Sequence, residues 1–262
     1  MRNYLVSVFF LLNSVLVFAQ SKSKWTYGFS ANPTFSFTVN TTKSSDLIGS
    51  TNQTFTAYND SVNKNKSYRV SYLNFSGWVN YSPDLKWTFQ FGIGYQDIGF
   101  QINQNNIKFG DKLYPGVGSG KLEEKTSASR NISYDFRYHY LHLPLFANYH
   151  LFRSKDYRMN IYVSGGIALN VLLKHQITAK LDFDIDGKNR FNVDSSAYTS
   201  SFLSLNIAAM LGARVDYKID KNFSLMVQPV FGACPFPISS GPISVYPFYF
   251  SMQAGIIYEI VN

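Results

Sequence analysis

The sequence predicts an all-β fold, an eight-stranded antiparallel transmembrane β-barrel that is built as an up-and-down meander and preceded by a signal peptide. Three observations support this prediction. Apolar residues alternate with small or polar ones along most of the chain, and short turns alternate with long polar connections. Only 15% of the residues are charged, whereas 17% are aromatic. Soluble domains typically carry about 25% charged residues, so the composition favours strands whose outer face meets lipid.

The N-terminal segment has the parts of a secretory signal peptide. Arg2 gives a positive start, residues 4–18 form an apolar stretch, and Ala19 ends a cleavage box. The alternative is a membrane-anchor helix, but the apolar stretch is shorter than the ~20 residues that span a bilayer. We therefore expect a signal peptide at 1–19 and one barrel domain at 20–262, with no linker and no second domain.

Eight long segments show the period of two that is typical of strands. In "KWTFQFGIGYQ", for example, Trp87, Phe89 and Phe91 alternate with Thr88 and Gln90. The predicted strands cover residues 25–39, 67–81, 86–100, 134–152, 157–174, 201–218, 222–235 and 244–260.

The connections between these segments alternate in length. Short turns are predicted at 82–85, 153–156 and 219–221, and the long polar connections lie at about 40–66, 101–133 and 175–200. An outer-membrane barrel has this asymmetry, with short periplasmic turns and long extracellular loops. Within the last of the long connections, alternation on both sides of Asp186–Gly187 predicts a hairpin with a tight turn. Aromatic residues near the strand ends predict interfacial girdles, with a ligand-stacking surface as the alternative.

A soluble, lipocalin-like barrel is the rival fold. It would turn its apolar residues inward and its polar residues outward. Alternation alone does not decide which face points inward. The loop asymmetry and the aromatic residues near the strand ends therefore carry the choice, and they favour the membrane barrel.

Two single residues have local consequences for the strands. Cys234 has no cysteine partner in the chain, so no intrachain disulfide is expected. Pro144 lies in the middle of a predicted strand and cannot donate to the ladder, which predicts a local bulge or a lost hydrogen bond.

The stretches "YLHLPLFANYHL", "IYVSGGIALNVLL" and "LGARVDYKIDKNFSLMVQPVFG" follow one another along the chain, and together they resemble the PorT-like outer-membrane β-barrel family of Bacteroidetes. "YLHLPLFANYHL" is similar to the family's Tyr-Leu-Glu-Ile-Pro-Leu-Leu-x-x-Tyr strand, and "IYVSGGIALNVLL" resembles its following Tyr-x-x-x-Gly-Gly strand. "LGARVDYKIDKNFSLMVQPVFG" is similar to its Asn/Asp-Lys-Asn turn and the flanking strands, so the resemblance covers roughly 140–235. His142 departs from the acidic residue that is usual at its position. The resemblance implies the barrel fold, a Gram-negative outer membrane and, from the family's best-known member, an accessory role in type IX secretion.

Side chains on a strand point alternately to its two faces, and this alternation, called parity, assigns a set of polar side chains to the barrel interior. The predicted lumenal polar cluster contains Arg214, Asp216, Glu259, His142 and His150. Because a buried charge needs partners, we expect Arg214 to pair with Asp216, Glu259 or both. A structural plug is favoured over a gate or a proton path, since small eight-stranded barrels are filled by side chains.

No catalytic, cofactor or metal site is predicted. "DFDIDG" resembles the start of a calcium loop, but the glutamate required at its twelfth position is replaced by Val193. His142 and His150 lie about 25 Å apart along one strand, too far to share a metal. No Ser-His-Asp set can be placed from the sequence, so an enzyme is not expected.

Two classes of function remain open. The first is a non-enzymatic envelope or secretion-system accessory that acts through extracellular loops 101–133 and 175–200. The second is a small-solute channel or a ligand-binding barrel, which the narrow bore of eight strands disfavours. The expected partners are outer-membrane lipid, lipopolysaccharide and envelope proteins. The net charge of +8 is also typical of nucleic-acid binding, but an exported chain makes that partner unexpected.

Overall fold

The computed structural model describes residues 25–42, 60, 63–107, 130–156, 158–185, 188–193, 201–240 and 243–259. Within these ranges the secondary structure is almost entirely strand, which confirms the all-β class. The strands are β1 (Trp25–Ala31), β2 (Thr34–Thr41), β3 (Lys66–Ser71), β4 (Phe75–Tyr81), β5 (Trp87–Ile107), β6 (Arg130–Arg153), β7 (Met159–Ile185), β8 (Lys188–Val193), β9 (Ser201–Phe202), β10 (Leu205–Lys218), β11 (Phe223–Ala233), β12 (Ser239–Ser240) and β13 (Ser244–Glu259). No helix in the described part of the chain is long and apolar enough to cross a membrane. The predicted signal peptide at 1–19 lies outside the described residues.

Antiparallel pairings close the sheet into a ring. Each passage of the chain along the wall is called a limb. Two limbs consist of two short strands each, β1 with β2 and β3 with β4. The other limbs are single strands, namely β5, β6, β7, β10, β11 and β13. Each limb pairs with the next along the chain, and β13 returns to pair with both β1 and β2. Within the described ranges the ring therefore has eight limbs in up-and-down order. Closure pairs the backbone groups that an open sheet would expose to lipid.

The two faces of the wall have opposite chemistry. Outward side chains are mostly apolar and exposed, as with Phe91 and Ile167, which are 49% and 55% exposed. Inward side chains on the same strands are polar and buried, as with Gln90 and Asn170. A soluble lipocalin-like barrel would show the reverse arrangement. Apolar residues outside and polar residues inside are the pattern of a membrane barrel.

Aspartates close the predicted short turns. Asp84 Oδ1 accepts the backbone N–H groups two and three residues later, at 2.8 and 2.7 Å, and Asp220 Oδ1 does the same at the same distances. In the third turn the Ser154 hydroxyl donates to Asp156. This hydrogen bond, with one from the Arg158 N–H, holds the pKa of the Asp156 carboxyl below its ordinary value. Aspartate contacts of this kind favour tight turns.

Aromatic side chains pair at the end of the barrel that carries the short turns. The rings of Trp25 and Tyr81 have centroids 4.7 Å apart, and those of Trp87 and Tyr149 are 4.9 Å apart. Both pairs join neighbouring strands, and Trp87 is 40% exposed. This outward position is the one that membrane-interface aromatics occupy.

At the opposite end of the barrel the strands are longer than the sequence predicts. β5 ends at Ile107, β6 begins at Arg130 and β7 continues to Ile185. Residues 101–107 and 130–133 of one predicted loop, and residues 175–185 and 188–193 of the other, are therefore strand, so the predicted loop boundaries are wrong. The period of two continues through these segments, but the polarity of the two faces is inverted.

The inward face of these extensions is apolar. Phe100 and Phe136 stack with ring centroids 4.4 Å apart. They belong to a buried cluster whose other members include Ile98, Ile102, Ile132, Tyr134, Tyr138, Tyr140, Ile177, Ala179, Leu181, Cys234, Ile238 and Val245. Cys234 is thus a core residue, and it lies one residue beyond the end of β11. The loop asymmetry predicts that this end is extracellular, and the extended part is therefore named the extracellular sheet; it consists of residues 97–107, 130–139, 174–185 and 188–193.

The hairpin that ends this sheet agrees with the sequence prediction. β8 pairs antiparallel with β7, and Ile185 lies opposite Lys188. The connection is therefore the two residues Asp186–Gly187, which lie outside the described residues. This pairing confirms the predicted hairpin.

Pro144 interrupts the ladder between β6 and β5 without changing the register. Gly92 and Ile93, which lie across from Pro144 and Leu143, form no ladder pair with β6, while the pairs on either side keep one offset. This interruption agrees with the predicted loss of a hydrogen bond. The register shifts of β6 against β7 occur elsewhere, one of them between His139 and Tyr140.

Candidate functional site

Arg214 on β10 is the centre of a buried polar cluster in the barrel. Its side chain is 2% exposed. Nε and Nη2 donate to the two carboxylate oxygens of Asp216 at 2.8 and 2.9 Å, and Nη1 donates to Asn80 Oδ1 and Gln90 Oε1 at 3.2 Å each. Asn80 and Gln90 lie on β4 and β5, on the far side of the ring from β10, so the guanidinium spans the bore. Arg214, Asp216, Asn80 and Gln90 are named the Arg214 cluster.

Two aromatic rings enclose the guanidinium of this cluster. Its carbon Cζ lies 5.5 Å from the centroid of the Trp78 ring and 5.6 Å from that of Tyr162. The cation therefore has a carboxylate, two amide oxygens and two ring faces as partners. One positive charge faces one negative charge, so the cluster leaves no net charge for a passing ion. The Arg214 cluster is therefore an electrically neutral network of hydrogen bonds that connects opposite strands across the bore.

Glu259 lies apart from the Arg214 cluster. Its side chain is 44% exposed at the short-turn end, and Oε2 is 4.0 Å from Lys218 Nζ. Of the two partners expected for Arg214, the structure places Asp216 against it and does not place Glu259 there. The separation follows from the position of Glu259 as the last residue of β13, beyond the buried part of the interior.

The two histidines of the predicted cluster each have a local amide partner. His142 is buried, and its Nδ1 lies 2.7 Å from Asn170 Oδ1 on β7. His150 lies nearer the short turns, with Nε2 3.3 Å from Asn160 Oδ1. The structure therefore does not bring either histidine to the arginine, and the two histidines bind separate neighbours.

A second charged cluster, which the sequence analysis did not identify, lies where the wall meets the extracellular sheet. Arg69 of β3 is bidentate to Asp97 of β5, with Nη1–Oδ1 and Nη2–Oδ2 distances of 2.9 and 2.6 Å. Arg69 Nε is 3.0 Å from Asp135 Oδ1, and Arg137 Nε donates to Asp135 Oδ2 at 2.7 Å. These four residues are named the Arg69 cluster. Two positive and two negative charges make it neutral.

The sequence did hold a signal for the Arg69 cluster. Arg69, Asp97, Asp135 and Arg137 all fall inside predicted strands rather than in predicted loops. A charge within a strand of a membrane barrel needs a partner, so four such charges in balanced signs indicate a network. Which charge meets which is set by the register between β3, β5 and β6, and that register is not visible in the sequence.

Side chains replace the backbone ladder where β5 passes the break between β3 and β4. β3 pairs with the upper part of β5 and β4 with its lower part, which leaves residues 96–99 without ladder partners on that side. Asp97 N donates to Asn74 Oδ1 at 2.7 Å, and Asn74 Nδ2 donates to Asp97 O at 3.4 Å. Gly99 N donates to Ser36 Oγ at 2.8 Å, and Ser36 Oγ donates to Gly99 O at 2.9 Å. Residues 96–99 with Asn74 and Ser36 are named the side-chain seam.

A small polar cavity lies beside this seam. Its lining includes Asn32, Asn74, Gln96, His142 and Gln253. Its volume is about 10 Å³, which suits roughly one water molecule. The cavity therefore has the size and polarity of an internal hydration site.

Metal-ligating residues are dispersed in the described part of the chain. Among the described side chains, no three of His, Cys, Asp and Glu are grouped closely enough to hold a metal ion. Cys234 is buried among apolar residues, with 2% of its surface exposed. The buried charged side chains Arg69, Asp97, Arg214 and Asp216 are instead engaged with one another in pairs.

Comparison with known proteins identifies the family. The family model described as "Outer membrane protein beta-barrel domain" matches residues 18–232, so the chain belongs to that family. Membership places the protein in the outer membrane of a Gram-negative bacterium. No curated protein matches the chain.

Several solved structures are similar to the chain at low sequence identity. Neisserial surface protein A is 11% identical, with 91% of this chain and 98% of that chain covered and a TM-score of 0.39. OprG from Pseudomonas aeruginosa is 11% identical, with 90% and 96% covered and a TM-score of 0.40. The outer-membrane protease OmpT from Escherichia coli is 9% identical, with 90% and 96% covered and a TM-score of 0.37. Likenesses with TM-scores below 0.5 support no inference about activity.

Proposed function

We propose that this outer-membrane barrel is a non-enzymatic envelope or secretion-system accessory with a closed bore, and that it acts through its extracellular sheet. The observation that carries the proposal is the filled interior. The Arg214 cluster joins opposite walls of the barrel, and the apolar cluster around Phe100 and Phe136 fills the end opposite the short turns. Because the interior is filled at both levels, the groups that can contact other molecules lie on the outer surface of the barrel.

The extracellular sheet is the surface best suited to a protein partner. It consists of long, hydrogen-bonded strands that extend the wall of the barrel, and its outward face is polar. The proposal therefore retains the predicted contact regions at 101–133 and 175–200, now with strands as their scaffold. The narrower form of the proposal, an accessory role in type IX secretion in a Bacteroidetes bacterium, rests on the resemblance of residues 140–235 to the PorT-like family.

The rival function is a small-solute channel or a ligand-binding barrel. A solute that crosses the bore would have to displace the guanidinium of Arg214, which has four hydrogen bonds and is 2% exposed. Leaving such a charge without partners costs several kcal/mol, about 3–5 in measured cases. This cost favours the accessory function over the channel.

Site-specific photo-crosslinking in intact cells tests the proposal. A photoreactive residue would replace Asn103 or Asn192, which are exposed on the extracellular sheet, and the matched control would carry it at Lys155 in a short turn. We expect a discrete protein adduct from the extracellular positions that does not form from position 155. Robust, solute-selective currents from the purified protein in planar bilayers, together with no adduct from the extracellular positions, would contradict the proposal.

A further inference from the structure

The outward face of the extracellular sheet carries an excess of positive charge. On β7 the exposed apolar residues end at Leu173, and the next outward residue is Lys174. Lys180 follows on the same face, and β8 adds Arg190 beside it. The three cations are exposed, and in the described part of the chain none of them forms an ion pair with a carboxylate. Lys174, Lys180 and Arg190 are named the cationic strip.

The nearby acidic side chains have other partners. Asp135 is bound by Arg69 and Arg137. Asp182, two residues beyond Lys180 on the same face, accepts the backbone N–H of Asn131 at 2.9 Å. The charge of Asp135 is thus balanced elsewhere, whereas Asp182 keeps its negative charge and offsets one of the three positive charges, so the strip retains an excess of positive charge.

Two of the cations face each other across a strand pair. Lys180 and Arg190 are direct register partners in the antiparallel pairing of β7 with β8. Like charges directly opposite destabilise such a pair. An anion bound between them removes that repulsion, and phosphate oxygens match both an ammonium and a guanidinium. The position thus has the chemistry of a phosphate site.

The strip also begins at the height where anionic headgroups lie. Lys174 follows directly on the last exposed apolar residue of β7, which marks the upper border of the lipid-facing band. Lys180 is six residues further, about 20 Å along the strand. A headgroup that extends above the acyl chains would therefore reach from one end of the strip toward the other.

We propose that the cationic strip binds the phosphates of a glycolipid headgroup in the outer leaflet and orients the extracellular sheet on the membrane surface. The strip lies on the outward face of strands that continue the lipid-facing wall, so a headgroup is the anion nearest to it. This inference rests on the outer-membrane location and not on the proposed protein partner. Either proposal can therefore fail without the other.

The test uses the full chain in lipid nanodiscs that contain zwitterionic phospholipid and a bisphosphorylated glycolipid, with bound glycolipid counted by native mass spectrometry. The variant K174Q/K180Q/R190Q removes the strip. The matched control K86Q/K155Q/K221Q removes three exposed lysines in the short turns. A cation near an anionic membrane surface contributes about fivefold in affinity, so we expect roughly 100-fold weaker binding by the strip variant. The control should bind like the original chain.

Two further arms identify the source of the phosphate. The same glycolipid without phosphates should bind as weakly as phospholipid. Inorganic phosphate should displace no more glycolipid than chloride at equal ionic strength, because a free anion lacks the acyl chains that hold the headgroup at the strip. Equal binding by the strip variant would overturn the proposal. So would equal binding of the dephosphorylated glycolipid, or displacement by millimolar inorganic phosphate. A heat-dependent gel shift establishes that each variant is folded.

Discussion

The carboxamide of Asn74 takes the place of a missing strand partner for Asp97. It accepts the Asp97 N–H at 2.7 Å and donates to the Asp97 carbonyl at 3.4 Å, at the point where β3 and β4 both leave β5. Asp97 in turn binds Arg69 with both carboxylate oxygens. One side chain thus holds the backbone of a residue on which a buried charge network depends.

Replacing Asn74 should loosen the side-chain seam. N74A leaves a buried backbone N–H and C=O of Asp97 without their partners, which costs about 1–3 kcal/mol of unfolding free energy. We expect a lower urea midpoint in detergent and faster hydrogen exchange at the Asp97 amide. The control N192A removes an exposed asparagine of the same type and should change neither measurement. Unchanged exchange at Asp97 in N74A would show that the seam does not depend on this side chain.

Removing the arginine of the Arg214 cluster should destabilise the barrel strongly. In R214M the Asp216 carboxylate remains in the interior without its cation, and breaking a buried pair in this way costs about 3–5 kcal/mol. The double variant R214M/D216L should recover most of that loss, because both charges are then absent. Urea unfolding of the single and double variants measures both effects.

The exposed ion pair of Lys218 and Glu259 is the control for that cycle. Its Nζ–Oε2 distance is 4.0 Å and both side chains are almost half exposed, so the pair should contribute less than about 1 kcal/mol to the unfolding free energy. A K218Q variant as unstable as R214M would mean that burial is not the reason for the expected loss.

Adjacent glycines in β7 should respond in opposite ways to the same substitution. A Cβ at Gly166 would lie 2.3 Å from the Leu145 carbonyl oxygen and 2.9 Å from the Phe146 ring, whereas nothing lies within 4 Å of a Cβ at Gly165. G166A should therefore cost about 1–3 kcal/mol of unfolding free energy through backbone displacement. G165A should be neutral or slightly stabilising, because alanine restricts the unfolded chain more than glycine does. Thermal unfolding followed by gel mobility compares the two, and equal midpoints would contradict the close approach.

The extracellular sheet should depend on its aromatic core independently of the barrel wall. F136A removes a ring stacked on Phe100 at 4.4 Å, and such a truncation costs about 3–5 kcal/mol. We expect limited proteolysis of whole cells to cut the extracellular sheet of F136A while the membrane wall stays intact. F91A removes a lipid-facing ring that is 49% exposed and should leave the sheet resistant. Equal resistance of the two variants would exclude a packed core in the sheet.

The sequence was sufficient to predict the fold because the membrane wall repeats one simple pattern. Alternation along β5 and β7, the short turns and the Asp186–Gly187 hairpin each follow from local residue chemistry. The inversion of the faces above the membrane has a mark in the sequence that the prediction did not use, because the apolar residues of β5 stand at odd positions up to Tyr95 and at even positions from Ile98 onward.

The interior was harder to predict than the wall. Parity correctly brought Arg214 and Asp216 to one face, since they are two residues apart on one strand. It could not show that Asn80 and Gln90 reach the same guanidinium, because those contacts span more than a hundred residues of chain. The Arg69 cluster was missed for the same reason. Contacts across the bore depend on strand order, tilt and register together.

The pairing of β13 with β1 and β2 imposes an order on assembly. The Thr34 hydroxyl donates to Ser251 across 217 positions of the chain, so the first and last limbs meet only when nearly the whole polypeptide is present. Until then β2 and β11 both have an edge that lipid cannot satisfy. A chain that ends before residue 244 would therefore be unable to complete its wall. Insertion of the complete protein into the membrane must therefore wait until β13 is available.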